Sequence, residues 1–294
     1  MSVRVTFDIF SGRVNPAFTL GPSDAAELSK RLQPAAKLTG AAATPPAQSV
    51  LGYRGVLIEP LGPAAVAGLP AHARVVDGTL YAPGTAFRIQ GSDTEDYLLD
   101  RAAATAGSGL SPELIALLRE ESRSRAAAKS SPPPPAGANP GPALVCRCAP
   151  LYEPGWWNDG GQIQLHNNCY NYACDYRTDT FAQPGRAAGN RITQFSCQGV
   201  QPCAIDDALT VSPQQAVRCP GEGHLVALVI WPGWDFHWYR MGRELLWSHK
   251  PGNWPVTNLD NAGQRISDPR TADRGRYTAF CSFMVAMHGH IKID

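Results

Sequence analysis

The chain has 294 residues and a formal net charge of +1 at pH 7; 44% of its residues are hydrophobic and 17% charged. The near-neutral balance excludes the basic footprint of a nucleic-acid-binding protein. No apolar run reaches the length that crosses a bilayer, so no membrane partner is expected either. The apolar content suffices for a real core, and the length suggests two domains of ordinary size.

The chain opens with MSVRVTFDIFSGRVNP, in which Val3, Val5, Phe7 and Ile9 alternate. That period predicts a strand over about residues 3–10. The stretch lacks the basic start, apolar h-region and small-residue cleavage site of a secretory signal. The expected location is the cytoplasm, or the outside by export without an N-terminal signal peptide. A turn at SGRVNP and a returning strand at AFTL follow. A helix is expected from about Asp24, with Glu27 at capping-box spacing. SVLGYRGVLIEP and ARVVDGTLYAPG read as strands, and DTEDYLLDRAAATA and SPELIALLREES as helices. In the second helix Ser111 is the N-cap and Pro112 takes the first helical position, where its missing N–H costs nothing. The charges of SGR and DYLLDR read as solvated turns and faces. Residues 1–121 are therefore expected to form a small α+β domain. Residues 122–143, SRSRAAAKSSPPPPAGANPGPA, keep no apolar period, and Pro132 to Pro135 favour a stiff polyproline II spacer.

Residues 144–294 differ. They hold all eight cysteines, all seven tryptophans and every histidine except His72. In a reducing compartment most of the thiols stay free; in an oxidising one three disulfides can form and leave a thiol for chemistry. Structural zinc is a further reading, but C-x-C at 146–148 and C-x5-C at 197–203 do not match the usual knuckle spacing. No metal and no cofactor is expected. LHNNCYNYACDY, residues 165–176, places Cys169, Tyr172, Ala173 and Tyr176 on one helical face, with Asn168 as N-cap. A cysteine at a helix start is either packed away or exposed to the positive helix end, which favours its thiolate. Irregular Gly- and Cys-rich segments follow. Then HLVALVI, DFHWYRM, RELLWSHK with a turn at Gly242, and YTAFCSFMVAM read as antiparallel strands.

A thiol at a helix start and a later strand histidine make a Cys–His pair, in which the imidazole takes the thiol proton and returns one to the leaving group. His237 is the expected base. His249 lies 249 − 237 = 12 residues on. A tight turn between the two strands can set the rings side by side, so that His249 fixes the tautomer of His237. Asn258 and Asp260 are the alternative orienting residues. Asn167 and Asn168 are candidates to hold an oxyanion beside the Cys169 N–H. Trp156, Trp157 and Trp254, in Gly-, Pro- and Asn-rich stretches, are the expected walls of an aromatic cleft.

GHLVALVIWPGWDFHWYRMGRELLWSHK resembles the β-meander of papain-like cysteine peptidases, especially the NlpC-type cell-wall endopeptidase branch. The resemblance covers about residues 160–250, with NNCYNYA standing where the branch usually has Asp-Cys-Ser-Gly. It implies an α+β papain-like domain over 144–294 with Cys169 as nucleophile, His237 as base and His249 as third member. The expected activity is a thiol-dependent amide hydrolase acting on a peptide or peptidoglycan-like bond. Acyl transfer and deamidation use the same acyl-enzyme. The rival expectations are a catalytically silent module that binds a peptide or glycan, and a structural domain stapled by disulfides or zinc. The N-terminal domain is expected to position substrate, recruit a protein partner or cover the site.

Overall fold

The computed structural model describes residues 2–43, 50–61, 72–82, 85–128 and 145–294. These residues form two compact units of an α+β protein. The first comprises 2–9, 15–43, 53–61, 72–82 and 85–128; the second comprises 10–14, 50–52 and 145–294. The sequence division put 10–14 and 50–52 with the N-terminal domain, whereas the structure packs them with the C-terminal unit. Residues 122–128 continue a helix, and the rest of the expected linker lies outside the described residues.

The first unit is, among the described residues, a seven-stranded antiparallel sheet with three α-helices and a short 3-10 turn at Gly40–Ala43. In chain order these are β1 (Ser2–Phe7), β2 (Ala17–Leu20), α1 (Pro22–Arg31), β3 (Pro34–Lys37), β4 (Val56–Leu61), β5 (Ala73–Val76), β6 (Thr79–Ala82), β7 (Thr85–Ile89), α2 (Thr94–Ala104) and α3 (Pro112–Ala128). The sheet order is β2-β1-β4-β5-β6-β7-β3. Period-two burial of Val3, Val5 and Phe7 fixes the register of β1, because a slip by one residue would turn all three to the other face. Asp77 and Gly78 both have positive φ and close the β5–β6 hairpin. Helix α1 starts at Pro22 behind Gly21 with no side-chain cap, so the capping box expected at Asp24 is not what starts it. Ser111 does cap α3, its Oγ accepting from the Leu114 N–H at 3.2 Å.

The second unit holds α4 (Pro154–Trp157), α5 (Gln162–His166), α6 (Cys169–Ala173), α7 (Cys197–Asp206), β8 (Thr210–Val211), β9 (His224–Trp231), β10 (Asp235–Met241), β11 (Trp247–His249) and β12 (Ala279–Ala286). The strand order β11-β10-β9-β12-β8 makes a β9–β10–β11 meander, and the last long strand returns beside β9. All eight residues of β9 are buried, as its continuous apolar run requires. Val226, Leu228 and Ile230 of β9 and Phe236 and Trp238 of β10 form one core with Cys169, Tyr170 and Ala173 of α6. Helix α6 is shorter than the heptad-like spacing implied: it ends at Ala173, and Tyr176 is exposed. Helix α7 was not legible, because Gly199 and Pro202 lie inside it. Strand β11 is also shorter than RELLWSHK, since Gly242 to Leu246 are spent on a turn in which Leu245 has φ +60°. Disulfides join Cys146 to Cys219 and Cys197 to Cys281. Among the described residues no helix is long and apolar enough to cross a membrane.

Candidate functional site

Helix α6 is built by its cap. The Asn168 side-chain oxygen accepts from the N–H groups of Tyr170 (3.0 Å) and Asn171 (3.2 Å), and the Asn171 side chain returns the favour to the Asn168 N–H at 3.0 Å. Cys169 therefore opens the helix, fully buried. Burial pushes its thiol well above the ordinary range and the Asp235 carboxyl adds to this, against the Trp238 N–H and the Lys250 charge. The expectation that the helix end favours a thiolate is thus reversed in this state. A five-residue helix carries a small dipole, and desolvation outweighs it.

The β10–β11 register pairs Tyr239 with His249, two positions along from His237 and on the same face. His237 Nε2 lies 2.8 Å from His249 Nδ1, and His249 Nε2 lies 2.9 Å from the Leu259 carbonyl oxygen. The two rings are perpendicular with centroids 4.9 Å apart, and the Tyr239 ring is 4.9 Å from each. A carbonyl only accepts, so His249 Nε2 carries the proton. Neutral His249 then accepts at Nδ1, His237 donates from Nε2, and neutral His237 has its lone pair at Nδ1. The loop of Asn258 and Asp260 does contribute to orientation, but through the main-chain oxygen of Leu259 between them. Asp260 instead accepts from the N–H groups of Ala262, Gln264 and Asp273, holding its own turn, and the Asn258 carbonyl accepts from Ile266.

The acceptor nitrogen of His237 meets a residue that the sequence did not single out. Ser11 Oγ lies 2.9 Å from His237 Nδ1 and 2.9 Å from the Tyr277 hydroxyl. Asp235, at the start of β10, gathers the N–H groups of Ser11 (2.7 Å), Gly12 (3.1 Å) and Arg13 (3.1 Å) and the Tyr277 hydroxyl (2.5 Å). Burial pushes the Asp235 carboxyl up despite these donors. The Gly12 carbonyl accepts from Asn168 Nδ2 and Gln183 Nε2, both at 2.8 Å. A Cβ at Gly12 would stand 2.5 Å from the Phe236 main-chain oxygen, so only glycine fits. The dipeptide Ser11–Gly12 thereby bridges the histidine of β10 and the asparagine next to Cys169.

Of the remaining expected residues, Asn167 is saturated. Its Nδ2 donates to Ile163 and Asp179, and its Oδ1 accepts from Thr178 and Asp179, which leaves no donor for an oxyanion. Trp157 is buried edge-on against Tyr172 at 5.3 Å, and Trp254 is buried too; both pack in the unit, and only Trp156 of the three is exposed. His224, a weaker candidate in the sequence, binds the end of α6 instead. Its Nε2 lies 2.7 Å from the Ala173 carbonyl at the end of α6, and burial lowers its pKa to about 4.

No protein-family model and no solved structure matches the chain. Insoluble matrix shell protein 1 of Ruditapes philippinarum is 44% identical over 139 residues, which is 47% of this chain and 90% of that protein. At that identity and coverage, the chain belongs to the family of insoluble matrix shell protein 1.

Proposed function

We propose that the second unit is a papain-like, thiol-dependent acyl hydrolase or transferase that acts on a peptide-type amide. The observation that carries this reading is the chain Leu259 O, His249, His237, which leaves the lone pair of His237 aimed away from its orienting partner. In the cycle, Cys169 gives its proton to His237 Nδ1 as the sulfur attacks the carbonyl carbon. The imidazolium then protonates the leaving amine, and a thioester remains. Water or an acceptor amine breaks the thioester, gives a proton to His237, and restores the thiol. His249 takes no proton and holds the ring. Asn168 Nδ2 and Gln183 Nε2, both directed at the Gly12 carbonyl here, supply donors for the oxygen of the tetrahedral intermediate. Ser11 occupies the base and Gly12 the amide donors, so the described state is the resting one, and substrate has to displace residues 11–12.

The test uses the full chain and an activated peptidyl ester, with the acyl adduct mapped by mass spectrometry. An adduct on Cys169 that disappears in His237→Ala is the expected result. An adduct on Ser11 would transfer the nucleophile's role to that hydroxyl. No adduct under any condition would sink the enzyme reading.

A second reading rests on the relative, whose name describes an insoluble component of shell matrix. On that reading the chain is an exported structural protein, and its buried histidines serve the core. It predicts sedimentable assemblies of the purified chain at neutral pH, and equal assembly by Cys169→Ala.

A further inference from the structure

Three of the eight cysteines meet at one point. Cys148 Sγ lies 3.4 Å from Cys146 Sγ and 3.4 Å from Cys219 Sγ. Cys148 is a free, solvent-accessible thiol, whereas its two neighbours are joined to each other. The equal distances decide between two uses of such a thiol. Attack on a disulfide needs the incoming sulfur in line with the bond it breaks, closer to one sulfur than to the other. A sulfur equidistant from both lies in the plane that bisects the bond, side-on to it, so Cys148 is not poised for exchange. Once the bond between Cys146 and Cys219 is reduced and those two sulfurs move apart, the three can instead form one face of a coordination tetrahedron. With metal–sulfur bonds of about 2.3 Å, the edge of that face is roughly 3.8 Å, a few tenths beyond the separations from Cys148.

We propose that, with the Cys146–Cys219 bond reduced, Cys146, Cys148 and Cys219 form a trithiolate site for a thiophilic d10 cation of the Zn2+ class. Thiolate ligands select such soft cations over Mg2+ or Ca2+. The site is held from two directions. The Cys146 N–H donates to the Arg243 carbonyl at 2.8 Å, and Ala149 closes the turn back onto Cys146 at 3.1 Å. Cys219 also lines a cavity of about 150 Å3 with Arg218, Pro220 and Glu222. Loading needs a two-electron reductant. A trialkylphosphine, itself oxidised to the phosphine oxide with water, converts the disulfide to two thiols, and three protons leave as the cation binds.

Phosphine-reduced full chain is titrated with Cd2+ and followed by thiolate-to-cadmium charge-transfer absorption, then challenged with Zn2+. Saturation at one equivalent and displacement by Zn2+ are expected. Cys148→Ser, which leaves both disulfides available for folding, should weaken binding at least tenfold. Cys203→Ser, at another free thiol, should leave it unchanged. The proposal is overturned if the reduced chain does not bind Cd2+, if Cys148→Ser binds as tightly as the unaltered chain, or if Cys203→Ser is the variant that loses the site.

Discussion

Each unit buries a carboxylate completely, and the two are treated in opposite ways. In the first unit Asp8 lies between Arg54 (2.7 Å) and Arg74 (2.8 Å). Burial works to raise its pKa, and the two guanidinium groups overcome that and hold it far below the usual range. In the second unit Asp235 meets N–H and hydroxyl donors, and burial wins, so its carboxyl is pushed up. Neutral donors satisfy lone pairs but do not repay the loss of hydration of a full charge. The first arrangement locks a charge in place as part of the fold. The second favours the neutral form of the carboxyl, as burial also does for the Cys169 thiol.

The comparison is tested most severely by taking a partner from Asp8. Arg54→Ala should destabilise the first unit by about 3–5 kcal/mol, the cost of taking one partner from a buried ion pair and leaving Asp8 with Arg74 as its guanidinium, read from its urea midpoint by circular dichroism. An effect below about 1 kcal/mol would mean that Asp8 is no locked charge. On the other side, His237→Ala should slow acylation of Cys169 by about 10²–10⁴-fold. His249→Ala should cost less, and the double variant little more than His237→Ala, because the residues act as one unit.

Acid should separate the units next. His224 has a folded pKa of about 4 against 6.5 in the unfolded chain. The unfolded state binds the extra proton, so this contribution is complete above about 6.5 and is lost as pH falls to about 4. It amounts to about 3 kcal/mol, with the raised Asp235 working the other way as it protonates. The depressed Asp8 acts in the opposite window: its contribution is kept above the unfolded carboxylate value near 3.8 and is lost only below it. All seven tryptophans lie in the second unit, so their fluorescence reports that unit alone. Its urea midpoint should fall between pH 7 and 5 while that of the first unit holds. Equal falls would erase the contrast.

The smallest expected effect belongs to Ser11. Ser11→Ala removes the hydroxyl from His237 Nδ1 without adding bulk, and should raise iodoacetamide labelling of Cys169 by about tenfold, the equivalent of one modest hydrogen bond. Unchanged labelling would mean that the segment does not govern access to the base.

Much of this was legible in local pattern. Alternation gave β1, a near-continuous apolar run gave β9, and Asn168 before an apolar run gave the start of α6. The twelve-residue interval from His237 to His249 gave their 2.8 Å contact, because a tight turn converts interval into register. The rest depended on contacts distant in sequence. Nothing around Ser11 announces that its partner is 226 residues away, and SGR reads as an ordinary solvated turn. Asn167 and Asn168 look alike in sequence, yet one is spent on its own loop and the other reaches Gly12. Leu259 was invisible as an orienting group, because it acts through the main chain, which every residue has. The thiol pKa depended on burial, which a helix start does not specify.

The separation of Ser11 from His237 also sets an order of manufacture. A ribosome adds about 5–20 residues per second. Ser11 therefore precedes His237, 226 residues later, by roughly 10–45 s. Cys169 and His249 are likewise made after it. The first moment at which Cys169, His237 and His249 all exist comes long after the Ser11 that meets His237. On the proposed hydrolase reading, no stage of synthesis would offer the finished trio before Ser11 and Gly12 exist.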